Sequence, residues 1–144
     1  MMEFVYAYAY FVLYAFLGWV CEDLYCGIPA KKFINRGFFY GPYCPIYGVG
    51  ALLVLYPLLF VKDYPILVFI LGVIITSTLE YITSWVMEIL FKTRWWDYSE
   101  RFMNINGRVC LLNSTLFGIM SIVVVYIIHP VIQDIVMDIP FKAL

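Results

Sequence analysis

Apolar residues gather into four long runs, at 4–21, 45–61, 66–91 and 109–128, and the segments between them hold most of the Lys and Arg. None of the runs alternates polar with apolar residues, as a barrel strand would. A helix needs about 20 mostly apolar residues to cross a hydrocarbon core of about 30 Å, so each run predicts one transmembrane helix. The run at 45–61 is the shortest and needs 42–44 to reach that length. The expected helices cover about 4–24, 43–61, 65–91 and 108–129, with loops at about 25–42 and 92–107 on one face of a single all-α transmembrane domain, 1–144. The long third helix has length to spare for tilt or for a turn beyond the bilayer. The run at 4–21 reads as a retained span rather than a cleaved leader, because no Lys or Arg precedes it and Glu3 stands where a positive region belongs.

Composition turns this pattern into a class. Of the 144 residues, 65% are hydrophobic and only 13% charged, with a formal net charge of -1. So few charges cannot coat a soluble globule, and so much apolar side chain rules out intrinsic disorder. Without a basic excess there is no electrostatic footprint for nucleic acid. The expected setting is the plasma membrane, with lipids as the surroundings.

Positive charge fixes an orientation. Lys31, Lys32 and Arg36 lie in 22–41, and Lys92, Arg94, Arg101 and Arg108 in 92–108, whereas the other face has only Lys62 and Lys142. The positive-inside rule puts the two longer loops in the cytoplasm and both termini outside. His129 and Pro130 are expected to end the last helix, leaving 131–141 as an interfacial tail.

An internal echo runs through this layout. Trp19, Val20, Glu22 and Leu24 recur as Trp85, Val86, Glu88 and Leu90, and Cys44 and Cys110 keep the same offset. Two parallel helix–loop–helix repeats, related by an axis along the membrane normal, would produce it. Chance in an apolar chain would produce it as well. The repeat reading predicts equivalent places for Glu22 and Glu88, and for Arg36 and Arg108.

Polar groups inside the spans mark the candidate chemistry. Thr76, Glu80, Ser84 and Glu88 follow at four-residue steps and so share one face of the third helix, which must look into the bundle or a cavity. Tyr6, Tyr10, Tyr14, Gly18 and Glu22 form a similar stripe on the first helix, and Asn113, Ser114 and Thr115 open the fourth. Glu80 has two readings: a protonated carboxyl that fixes helix register, or a group that takes up a proton or cation in a transport cycle. Arg36 and Arg108, at helix edges, suit two-pronged grip of a carboxylate or phosphate; equally, each could pin a loop by pairing with Glu22 or Glu88. With Asn35, Asn104 and Asn106 these groups outline a polar vestibule for a small anionic or zwitterionic ligand. Lys31, Lys32, Lys92 and Arg94 are expected on anionic headgroups.

The densest stretch is Asn35-Arg36-Gly37-Phe38-Phe39-Tyr40-Gly41-Pro42-Tyr43-Cys44-Pro45-Ile46-Tyr47-Gly48. Its prolines and glycines forbid a regular helix until about Ile46, which predicts a non-helical, re-entrant segment before the second helix. Trp95-Trp96-Asp97-Tyr98-Ser99 reads as an interfacial aromatic anchor ahead of direct ligand contact. Gly18-Trp19 with Glu22, the run 35–48, Trp96-Asp97-Tyr98-Ser99 and Asn106-Gly107-Arg108-Val109-Cys110 together resemble the bacterial ABC-transporter type IV, or CmpB-like, membrane family. The likeness covers roughly 18–118. It implies an integral membrane protein of the bacterial inner membrane, named as a permease component.

Several chemistries drop out. No Gly-rich phosphate loop is present, so a separate ATPase subunit would have to hydrolyse ATP. Cys21, Cys26, Cys44 and Cys110 lack the close pairing of a zinc or iron–sulfur site and read as reduced thiols, and the only histidine, His129, lies at the outer end. No cofactor or metal is expected. Four helices are few for a transport path, which points to a homo-oligomer or a larger membrane complex. Gly72 with Thr76, and Ser114 with Gly118, offer close helix contacts, read first as packing within one chain. The leading expectation is a transporter or permease component handling a small polar or anionic substrate through a cytoplasm-facing cavity. Its site candidates are Glu22, Asn35, Arg36, Glu80, Ser84, Glu88, Asn106, Arg108 and Asn113. The alternatives are a membrane-embedded enzyme on a lipid or headgroup, with Glu22 or Glu88 as base and the two arginines as anion clamps, and a non-catalytic accessory subunit.

Overall fold

The computed structural model describes residues 2–33 and 41–140. Asn35, Arg36, most of the dense run at 35–48, Lys142 and the side chain of Cys26 lie outside the described residues. The described chain is helical without strands: α1 (Met2–Ala30), α2 (Pro45–Leu59), α3 (Pro65–Phe91), α4 (Leu111–Val123), a π-helical turn at Val124–Ile128, and α5 (His129–Asp138). Three helical stretches are long and apolar enough to cross a membrane, Glu3–Ala30, Pro65–Phe91 and Leu111–Asp138. At 15 residues α2 is apolar but shorter, with a rise of about 22 Å against a core of about 30 Å.

Two boundaries differ from the sequence expectation. α1 continues past 24 through Glu22 and Asp23 to Ala30, with Pro29 only in its last turn, where few hydrogen bonds are lost. Helix also continues through His129 and Pro130 instead of stopping there. A proline lacks the N–H for the ladder and its ring crowds the preceding turn; the wider π-helical turn immediately before it gives the ring room.

The chain forms two compact units, Met1–Leu53 with His129–Leu144, and Val54–Ile128. In the first, the stripe on α1 is the packing face. Tyr14 Oη and the buried His129 Nδ1 share a hydrogen bond of 3.2 Å, and the Tyr10 ring lies 5.2 Å from the His129 ring. One turn on, Gly18 lets the Tyr47 ring lie against the α1 backbone, where a Cβ would collide with it. Tyr47 Oη then donates to Glu22 Oε2 at 2.6 Å, and the Cys44 amide donates to Ala15 O at 3.0 Å. Gly41, Pro42, Tyr43 and Cys44 are non-helical.

The second unit is built on α3 against α4. Small residues bring the two backbones close: a Cβ on Gly72 would sit 2.5 Å from Ser121 Oγ, and one on Gly118 would meet Val73 and Phe69. Ser77 Oγ donates across the same seam to Ser114 Oγ at 2.7 Å. This is the close packing that holds helices together where lipid removes any hydrophobic drive between them. Val68 and Val125 are fully buried, while Ile66, Ile74, Leu90 and Ile119 are exposed, as a lipid-facing surface requires.

Candidate functional site

All the geometry below lies in the second unit, between the C-terminal half of α3 and the loop 92–110 that leads into α4. α3 ends at Lys92 in the left-handed conformation, φ 56°, which turns the chain back along the helix. The loop holds itself together. Asp97 Oδ1 accepts from the Ser99 amide at 2.9 Å and from the Ser99 hydroxyl, and these bonds, with Arg94 nearby, hold its carboxyl below the usual aspartate range. Asn104 Nδ2 donates to Arg101 O at 2.9 Å and its Oδ1 accepts the Gly107 amide at 3.0 Å. The Tyr98 amide donates to Gly107 O at 2.7 Å and Trp96 Nε1 to Arg108 O at 3.0 Å. Gly107 has φ +69°, and a Cβ there would strike Ser99 Oγ and come within 2.8 Å of Arg94 Nη1, so this position needs glycine twice over.

The loop delivers two side chains to the polar face of α3. Arg108 is buried, with 9% of its surface exposed. Its Nη1 donates to Ser84 Oγ at 3.0 Å, its Nη2 pairs with Glu88 Oε2 at 2.6 Å, and its guanidinium carbon stands 5.6 Å over the Tyr81 ring. Arg94 Nε reaches the same Glu88 oxygen at 3.3 Å and its Nη1 reaches Asp97 at 3.4 Å. Asn106 Nδ2 donates to Tyr81 Oη at 2.8 Å, tying the far side of that ring to the loop.

The second side chain is Tyr98. It donates to Glu80 Oε1 at 3.0 Å and accepts from Asn113 Nδ2 at 2.6 Å, making a relay from α4 through the loop to α3. Burial, and next the nearby Glu80 carboxyl, push the Tyr98 hydroxyl above its ordinary range. Glu80 Oε2 is buried without a hydrogen bond of good geometry, although the Asn113 amide is close enough to act on the carboxyl. Beside the arginine cluster an open groove of about 450 Å³ is lined by Trp85, Glu88, Ile89, Lys92 and Arg108.

Of the residues singled out in the sequence, Ser84, Glu88 and Arg108 meet directly, Glu80 and Asn113 meet through Tyr98, and Asn106 joins through Tyr81. Glu22 lies in the first unit on Tyr47. Arg94, expected on lipid headgroups, is instead engaged by Glu88 and Asp97, because the turn at Lys92 points the chain back at α3. Tyr81, Trp96 and Tyr98 were not foreseen as site residues; the Asp97-x-Ser99 spacing, which favours a side-chain-capped turn, was the available signal that this segment folds on itself.

The family model described as "Putative ABC-transporter type IV" matches residues 9–144. No curated protein and no solved structure matches the chain. The match takes in α2, α3, α4, α5, most of α1 and every residue of the loop site, and the chain belongs to this ABC-transporter type IV family.

Proposed function

We propose that the protein is a transport component of the bacterial plasma membrane that engages a small polar or anionic substrate from the cytoplasmic side, with Arg108 as the gripping cation. One observation carries the reading. A buried guanidinium stands at the wall of an open groove, held by a serine hydroxyl and by a carboxylate that also serves Arg94. An arriving carboxylate or phosphate can take the place of Glu88 on Arg108 without leaving the charge unpaired, since both acceptors offer the same two-oxygen geometry. Glu80, capped by Tyr98, is the proposed coupling group.

The orientation follows from the basic loops: both are cytoplasmic, both termini are outside, and α2 is the fourth span. The parallel repeat is part of the proposal, with Cys44 and Cys110 each directly preceding a helix. ATP hydrolysis is assigned to a separate subunit, and the transport path to an oligomer or larger complex. The enzyme alternative is weaker, because Glu88 Oε2 is already occupied by two guanidinium groups and is poorly placed to take a proton from a substrate.

Inverted membrane vesicles from cells producing the protein test this. Supplied with ATP, they are expected to move labelled phosphate- or carboxylate-bearing solutes. Arg108→Gln should cut that movement by about tenfold or more, the scale of one lost charge-assisted contact. Equal flux from parent and Arg108→Gln vesicles, with both proteins present and folded, refutes the assignment of Arg108.

A further inference from the structure

Trp85, Glu88, Ile89 and Lys92 sit at i, i+3, i+4 and i+7, so the groove beside Arg108 runs along one face of the last two turns of α3. From Trp85 to Lys92 it extends about 10 Å parallel to the helix axis. Its two ends differ in chemistry. Lys92 and Arg108 supply cations at the end where α3 stops; deeper along the helix, Trp85 and Ile89 are each about half exposed (52% and 50%) and present only apolar surface outward. Glu88 offsets one cation, and Lys92 has no acidic partner among the described residues, so the lined groove keeps a positive excess.

A soluble anion would use the cationic end and leave the indole and isoleucine bare. A ligand that fills the whole groove needs a negative group at the end of the span and an apolar tail that runs from it toward the bilayer centre, parallel to α3. That is the direction in which a phospholipid lies beside a membrane helix.

We propose that the groove of Trp85, Ile89, Lys92 and Arg108 binds a phosphate-bearing lipid, with the phosphate on Lys92 and Arg108 and an acyl chain over Ile89 and Trp85. The proposal rests on the reading of Arg108 as an anion-engaging group and names the substrate class of that site as an amphiphilic phosphate. It also gives Trp85 a task beyond marking the interface, where tryptophan is common on any membrane helix.

The test uses the intact protein in phosphatidylcholine nanodiscs containing a small fraction of acyl-brominated phosphatidylglycerol or, in parallel, acyl-brominated phosphatidylcholine. The Trp85 signal is the difference between the parent and Trp85→Phe, a substitution at a half-exposed site. Quenching of that signal is expected at about fivefold lower concentration of the anionic lipid than of the zwitterionic one, the effect of about one basic residue near an anionic headgroup. Lys92→Gln, at an exposed helix end, should remove most of that preference, and millimolar glycerol 1-phosphate or inorganic phosphate should not reverse the quenching. If either soluble phosphate displaces the brominated lipid, the groove takes a free anion: the lipid proposal fails and the transport reading stands. If the two lipids quench alike and soluble phosphate changes nothing, the groove is not an anion site and both fail.

Discussion

Tyr98→Phe removes one hydroxyl and is expected to loosen the loop from the membrane helices. That hydroxyl is donor to Glu80 Oε1 at 3.0 Å and acceptor from Asn113 Nδ2 at 2.6 Å. A net hydrogen bond is worth about 0.5–1.5 kcal/mol, and a buried acceptor left without a donor costs about 1–3 kcal/mol. Glu80 already has one buried oxygen without a good partner, so losing the donor to the other leaves the whole carboxyl wanting. Asn113 can swing toward the vacated oxygen and recover part of the loss, which sets the expected destabilisation at about 1–2 kcal/mol. The assay is unfolding in mixed detergent and dodecyl sulfate, followed by tryptophan fluorescence and analysed as a double-mutant cycle with Glu80→Leu. Removing the acceptor and the donor together should cost about 1 kcal/mol less than the sum of the single changes. Additivity within about 0.5 kcal/mol means the Tyr98–Glu80 contact holds nothing, and the reasoning that joins loop and helix through it is wrong.

Stability should respond to alkali through the same residue. The folded-state Tyr98 hydroxyl titrates above its ordinary value of 10.0, so its contribution is intact below pH 10 and is lost as pH rises beyond it; Tyr98→Phe should flatten that part of a stability–pH profile. Gly72→Val should cost about 1–3 kcal/mol in the same unfolding assay, because even the first added carbon sits 2.5 Å from Ser121 Oγ and 2.6 Å from Ser121 Cβ at the α3–α4 seam. Gly107→Val combines a β-branched side chain with φ +69° and a collision at Ser99, and should raise amide hydrogen exchange across 97–107 while the α3–α4 seam stays protected. For orientation, Glu100→Cys in a chain without other cysteines should react with an impermeant maleimide from the cytoplasmic face alone; labelling only from outside inverts the assignment.

The spacing of Thr76, Glu80, Ser84 and Glu88 was enough to put the site on one face of α3, because helical periodicity is a local property that sequence records directly. Small residues at Gly72 and Gly118 were likewise legible as a packing seam. What sequence could not supply was the partner of each group. Whether Arg108 meets Glu88, and Tyr98 rather than some other phenol meets Glu80, depends on how the loop reverses, and that is set by left-handed backbone at Lys92, Met103, Asn106 and Gly107. Only Gly107 announces such a conformation by residue type alone. The passage of helix through Pro130 was hidden for a similar reason, since the residue that usually stops a helix is accommodated by a change in the turn before it.

Depth gives the loop its strictest requirement. α3 has 27 residues and rises about 40 Å, about 10 Å more than a hydrocarbon core, so part of its C-terminal end can stand in the headgroup region. Yet Tyr98 reaches back to Glu80, eleven residues before the end of α3, and on that stretch Trp85, Ile89 and Leu90 are exposed apolar side chains. One face of the helix therefore meets folded loop while another meets acyl chain or interface. Irregular backbone persists beside lipid only when protein satisfies its polar groups. That requirement explains why Tyr98, Gly107, Ile105 and Arg108 spend their amides within the loop or its caps, and why Asn104, Asp97 and Trp96 spend their side chains there. With those groups committed to holding the loop, the arginine–carboxylate cluster is left as the part able to exchange partners with a ligand.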